Sequence, residues 1–350
     1  MPDSQQAAPP KIAIVLPVTL AERQVHQTAW RHVDNNLARV RLQLLLSSLL
    51  HFFDLSTVSS FWIVSPVSEI GTIKQIAAST GIGSYVDVIA EDEIFTSAPV
   101  TGRQARPVVA GWKLQQLIKL GVALYVRANH YLTLDSDIVC LHKCGAGTLI
   151  PNRKPLLNLE TLSDYQRLYT PDFASSEVTR KRSRMLTASS ILRLAAPRDA
   201  PDRFCGETPV LLSADAVTRL LKHLSNLYSE GWLMKLIQTD GWTEFALYLS
   251  FLQGTGSLVE THQLASCDEV LSLTDSVWQC NCMYRTKRTY APATFFAHAR
   301  TRMTGHFAAV QSWLPAHCWL SSEYGSIKEY YELLNVALRA EVEDLQRSGD

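Results

Sequence analysis

The stretch Tyr131-Leu132-Thr133-Leu134-Asp135-Ser136-Asp137 decides how the rest of the chain is read. A strand-length, mostly apolar run surfaces at two carboxylates spaced two positions apart. Residues i and i+2 of a strand share a face, so at a strand end both carboxylates can converge on one ion. Hard divalent cations take oxygen ligands, and Mg²⁺ or Mn²⁺ is commonly held by one or two carboxylates plus substrate phosphates. A polar turn that merely closes a strand would carry the same three residues. The segments around the triplet separate the two readings.

Upstream, strand-like and helix-like segments alternate. Ile12–Pro17 reads as a buried first strand, and Leu37–Phe53 as a helix with Leu42, Leu45, Leu46 and Leu49 on its apolar face. Ser60–Val64, a helix over Ile70–Thr80 closed by Gly81, and Val86–Ala90 follow. Ile94–Ala110, with Pro99, Gly102 and Pro107, reads as a long loop. A helix from Trp112 to Arg127 then puts Leu114, Leu117, Ile118 and Tyr125 on one stripe and leads into Tyr131–Leu134. This alternation predicts an α/β fold, with a Rossmann-like, mixed, mostly parallel central sheet flanked by helices. Ligands of such sheets bind at the carboxyl ends of the strands, where the Asp pair falls.

The second half is less regular. Leu156–Leu159, Val210–Leu212 and Thr294–Ala297 read as strands. Ala214–Tyr228, Glu244–Leu252 and Ile327–Leu345 read as helices, and Ser175–Arg184 is polar and basic. We expect residues 1–10 to be a disordered tail and 11–350 a single large domain. Within it, 11–145 is the nucleotide-binding half and 146–350 the substrate-binding completion.

Of the 350 residues, 47% are hydrophobic and 19% charged, a balance that buries a core and argues against disorder. Lys and Arg number 33 against 33 Asp and Glu, so no net field favours nucleic acid. The seven cysteines, odd in number and scattered, read as reduced thiols. The longest apolar region, Leu42–Phe53, is interrupted by Gln43, Ser47, Ser48 and His51, and falls short of the roughly 20 residues of a membrane span. We therefore expect a soluble, cytoplasmic protein and leave peripheral membrane association open.

Tyr131–Val139 resembles the Asp-x-Asp signature of GT-A-fold glycosyltransferases, most closely its glycogenin-like form. Gly111–Leu120 resembles the segment ahead of that signature in a group of bacterial nucleotide-sugar glycosyltransferases. The resemblance covers Trp112 to Val139 and extends elsewhere only as topology. It implies a GT-A-like domain that moves a sugar from a nucleoside-diphosphate sugar with Mn²⁺ or Mg²⁺ on the diphosphate. Asp137 would be the more direct metal ligand, with Asp135 toward metal and ribose. UDP-sugars are the commonest donors among similar enzymes, and the acceptor, whether glycan, lipid or protein, stays open. The resemblance also implies a late histidine as third metal ligand. His298 in Phe295-Phe296-Ala297-His298 holds that position, with His306 as competitor. The Asn-Ala-Gly type sequence of the glycogenin-like group is absent, which leaves retention or inversion open.

Other residues carry weaker signals. Trp112, Gln115 and Lys119 share the helix stripe opposite the apolar face, so Lys119 or Lys113 can reach a phosphate; a solvated face reads the same way. Thr19, just beyond the first strand, is a further candidate for donor contact. An inverting transfer needs a carboxylate as general base. Thr239–Glu244 offers Asp240 and Glu244 beside Trp242, a ring able to stack on a sugar, although an acidic residue also suits the helix start at Glu244. Glu207 is a third carboxylate to consider. Arg180-Lys181-Arg182-Ser183-Arg184 faces either an anionic acceptor or solvent. Cys140, His142, Cys144, Cys280 and Cys282 lack the usual paired zinc spacings.

Two rivals remain. A haloacid-dehalogenase-type phosphatase would use Asp135 as nucleophile. Its motif normally follows the first strand, whereas three strand–helix units come earlier here, and its late acidic metal motif is missing. A non-catalytic GT-A-like binding protein is the third reading.

Overall fold

The computed structural model describes residues 10–20, 36–96, 109, 111–195, 203–286, 290–312 and 326–348. In chain order the first half holds β1 (Ile12–Pro17), α1 (Leu37–Phe52), β2 (Val58–Ser65), α2 (Ile70–Ser79), β3 (Val86–Ala90), α3 (Glu91–Thr96), α4 (Gly111–Gly121), β4 (His130–Thr133) and β5 (Ile138–Cys140). Next come α5 (Ala146–Leu149), β6 (Leu156–Thr161), α6 (Leu162–Leu168), α7 (Pro171–Leu192), β7 (Arg203–Cys205), β8 (Val210–Ser213) and α8 (Ala214–Tyr228). The chain continues through α9 (Trp232–Gln238), α10 (Glu244–Gly254), α11 (Leu258–Thr261), β9 (Gln263–Ala265), α12 (Phe295–Arg302), β10 (Phe307–Ala309) and α13 (Ile327–Ser348).

The central sheet runs β3-β2-β1-β4-β8. Its first four strands are parallel, and β8 pairs antiparallel with β4. This is the mixed, mostly parallel sheet flanked by helices that the alternation implied. β1 is buried along its whole length because both faces are covered. Ile12, Ile14 and Leu16 enter a core shared with α1, α2 and α13. Ala13 and Val15 enter the opposite core with α4, α8 and α10. The chain moves outward from β1 to β3 and then crosses back to β4. The strand order therefore reverses between β1 and β4, and a crevice opens at the carboxyl ends of these two strands.

Two short strands complete the support. β5 pairs antiparallel with β10, and Ser48 Oγ of α1 accepts from the Cys140 N–H at 3.0 Å. The lead-in to β10 passes so close to residues 271–272 that a Cβ on Gly305 would lie 2.3 Å from the Ser272 nitrogen. The ladder Phe307 N–H to Val270 O (3.0 Å) and Ser272 N–H to Phe307 O (2.7 Å) holds that contact.

Several expectations are corrected. Thr294–Ala297 is not a strand: it is a 3₁₀ turn running into α12, where Phe295, Phe296 and Ala299 bury one helical face. Residues 175–184 lie inside α7, a 22-residue helix with Pro171 in its first turn. α4 stops at Gly121 and passes into a 3₁₀ turn over Val122–Leu124. Most of the expected 94–110 loop, like the tail over residues 1–9, lies outside the described residues. Among the described residues no helix is long and apolar enough to cross a membrane.

Candidate active site

Asp135 and Asp137 occupy the turn just past β4, not the strand itself, and the turn is closed by Ile138 N–H to Asp135 O at 3.3 Å. The backbone is pinned on both sides: Leu134 N–H donates to Val15 O at 3.0 Å, and Val310 N–H to Asp137 O at 2.9 Å. The pair therefore sits at the reversal between β1 and β4, on a cavity of about 470 Å³ that Pro17 of β1 also lines.

α4 supplies one wall. Trp112, Gln115, Gln116 and Lys119 all line the cavity, at the i, i+3, i+4, i+7 spacing of one helical face. Lys119 is only 3% exposed. Its ammonium lies 2.8 Å from Asp135 Oδ1 and 3.0 Å from Glu244 Oε1 of α10. Burial alone would lower its pKa, but the two carboxylates overcome that and hold it above that of a free lysine. The same burial raises the Glu244 pKa against the pull of Lys119. The Glu244 N–H donates to Gln116 Oε1 at 3.1 Å, which locks α4 to the start of α10.

Asp137 is 8% exposed. Burial pushes its pKa up to about 6, with Arg41 of α1 pulling it down and Asp135 pushing it further up. Among the described residues, eight buried side-chain polar atoms lack a hydrogen-bond partner. Four of them, Arg41 Nε, Gln116 Nε2, Asp137 Oδ1 and Trp278 Nε1, belong to residues lining this cavity. Buried polar groups are normally paired, so this concentration marks a place built for a missing partner.

The opposite wall comes from β6, α6, α7 and the turn at 207–208. Lys181 of α7 is held between Glu160 (3.0 Å) and Glu207 (2.7 Å), Arg184 lies 3.4 Å from Glu207, and Arg180 pairs with Glu177. Burial would raise the Glu207 pKa, but Lys181 and Arg184 outweigh it and hold it at about 2. In all, six carboxylates and five cationic side chains line the cavity. A larger hollow of about 660 Å³ lies along the edge strand β3, but none of the orphaned atoms belongs to it.

A family profile described as a family of unknown function, DUF6492, matches residues 9–335. The chain belongs to DUF6492. No curated protein matches the DUF6492 chain. Among solved structures it is similar to apo mouse xyloside xylosyltransferase 1, with a TM-score of 0.40 and 13% identity over 76% of this chain and 89% of that one. It is also similar to an active-site mutant of LgtC, with a TM-score of 0.42 and 13% identity over 93% of this chain and 96% of that one. The galactosyltransferase LgtC with donor and acceptor sugar analogs gives 0.40 and 12% over the same shares. At these scores the likeness is one of outline.

Several sequence candidates of the DUF6492 chain lie apart from the cavity. Lys113 spends its ammonium on Ile237 O (2.8 Å), Thr239 O (3.2 Å) and Asp240 (2.7 Å), so it is tied to the end of α9. Asp240 is almost fully exposed, and its pKa is lowered by the hydrogen bond from Lys113. Trp242 is 1% exposed and donates Nε1–H to Leu236 O and Thr239 O, so its ring is a core element and not a sugar platform. The Thr19 hydroxyl donates to Glu69 at 3.1 Å. His298 lies on α12 with its ring 5.2 Å from Tyr290, His306 neighbours His142, and neither lines the cavity. Among the described residues no group of three or more His, Cys, Asp or Glu side chains is placed to hold a metal, and the described cysteines are free thiols. Arg41, Gln116, Glu160, Tyr165 and Trp278 line the cavity without having been singled out from sequence.

Proposed function

We propose that this DUF6492 chain is a GT-A-like glycosyltransferase that moves a sugar from a nucleoside-diphosphate sugar to an acceptor. One observation carries the reading: the buried, unpartnered Asp137 oxygen beside Asp135, at the strand-order reversal, on a cavity whose carboxylates outnumber its cations. A diphosphate brings further negative charge to such a cavity, and an added cation offsets it. Two carboxylates with room for phosphate and water suit a hard divalent ion, so the missing third protein ligand is no obstacle.

Asp135 and Asp137 would hold Mn²⁺ or Mg²⁺, which when bound there supplies Lewis-acid neutralisation of the departing diphosphate. Lys119 orients Asp135 and places a buried positive charge where leaving-group charge builds. Arg41 adds a second cation beside Asp137. Glu244, buried on the cavity wall with its ionised form disfavoured by burial, is the carboxylate best suited to take a proton from an acceptor hydroxyl. UDP-sugars are the first donors to try. The phosphatase reading is not favoured: Asp135 follows the fourth strand of the chain, whereas that nucleophile normally follows the first.

The test is thermal stabilisation and slow donor hydrolysis with a panel of nucleotide-sugars and Mn²⁺. Ligand at about 100 times its Kd adds about 2.7 kcal/mol to stability, which a melting curve resolves. One nucleotide class should stabilise the protein and be hydrolysed, and Asp137→Ala should lose both. Turnover of a simple phosphate ester that needs Asp135, with no nucleotide effect, would sink the reading.

A further inference from the structure

The part of the α7 basic run that lines the cavity, Arg180, Lys181 and Arg184, turns out to be neutralised. Glu177 takes Arg180, Glu160 and Glu207 flank Lys181, and Glu207 also takes Arg184. Three cations stand against three carboxylates, so this wall offers an anion as much repulsion as attraction. The sequence alone allowed an anionic acceptor here, and the pairing removes its attraction.

What remains is a different recognition chemistry. Charged groups locked to one another keep spare lone pairs and N–H groups in fixed directions, with no net field. Such a wall suits hydroxyl groups, which both donate and accept. Glu207, with its side chain 31% exposed, is reachable from the cavity. Trp278, half-buried, lines the same region and adds the apolar ring surface that the C–H face of a sugar packs against. Trp278 Nε1 is buried and unpaired, a donor left over after the protein's own hydrogen bonds are made.

We propose that the wall formed by α6, α7 and Glu207 is a subsite for an uncharged saccharide, which in the transferase reading above is the acceptor. That last assignment rests on the transferase reading, whereas the saccharide subsite stands on the wall itself.

The experiment uses the full chain with Mn²⁺ and UDP, with GDP and ADP as alternates. Saturation-transfer NMR follows binding of methyl glycosides and disaccharides of glucose, galactose, mannose and N-acetylglucosamine. Their glucuronate and 6-phosphate counterparts serve as anionic comparisons. At least one neutral saccharide should bind, with affinity insensitive to salt. Glu207→Gln and Trp278→Phe should each weaken it about tenfold, the scale of one lost hydrogen bond to a charged or buried group. Nucleotide stabilisation, read in the same variants, checks that both still fold. Binding of anionic saccharides alone, with steep salt dependence, overturns the proposal. So does the absence of any saccharide binding to a protein that UDP and Mn²⁺ stabilise. Neutral saccharide binding without any nucleotide effect would support the subsite and remove the transferase reading.

Discussion

Lys119 is the residue on which the site's electrostatics turn. One buried ammonium serves Asp135 and Glu244 together. Removing one partner of a buried ionic group strands the others, at a cost of about 3–5 kcal/mol. Lys119→Met should therefore lower unfolding free energy by about that amount in a denaturant titration, and Lys119→Met with Glu244→Gln should recover part of the loss. Asp137→Asn should behave oppositely. It removes a carboxylate whose ionisation burial opposes, so it should leave stability unchanged or raised in the same titration while abolishing Mn²⁺-dependent nucleotide stabilisation. Asp135 and Asp137 were legible in the sequence because both their spacing and their strand are local. Arg41 was not, because it reaches the cavity from α1, and its guanidinium bonds Ser312, 271 positions away. No local pattern encodes a contact of that span.

At the scale of elements, α7 explains why a helix was read only as polar. Its inward stripe, Glu177, Arg180, Lys181 and Arg184, has the helical spacing but is made of charges, so a search for apolar periodicity passes over it. The same spacing in Trp112, Gln115, Gln116 and Lys119 lies opposite a clear apolar face and was found in part. β5 and β10, three residues each, are too short to show a period at all. β1, β3 and α8, by contrast, have the boundaries their sequences imply. The α7 wall also carries a pH signature. Glu207 has its folded pKa depressed to about 2, so its stabilisation is fully present above the unfolded carboxylate range near 4.5 and is lost as pH falls from there toward 2. With the partial exposure of the group discounted, about 2 kcal/mol should disappear in that window. Acid titration of Glu207→Gln should show the window flattened. An unchanged acid limb would mean that the Lys181 and Arg184 contacts contribute nothing.

For the whole molecule, the parallel order β3-β2-β1-β4 and the antiparallel β8 place every element of the site around one strand-order reversal. The mostly parallel sheet follows from alternating strands and helices, and the sequence implied it; the strand order is set by pairings that no local pattern encodes. The second half was harder to read because its small sheets pair β6 with strands some 40 and 100 residues further on. The seam at Gly305 belongs to this scale, since it lets the segment before β10 cross against residues 271–272 while β10 carries Val310 to the Asp137 carbonyl. Backbone, not a movable side chain, fills the space a Cβ would need. Gly305→Ala should therefore destabilise the chain by several kcal/mol, on the order of 3 or more, measured as a fall in melting temperature. In a deep mutational scan this glycine should tolerate no substitution at all, whereas Asp137 should tolerate many when the readout is abundance alone. The contrast between the two positions gives any future activity screen of this family its own internal folding control, with no knowledge of the substrate required.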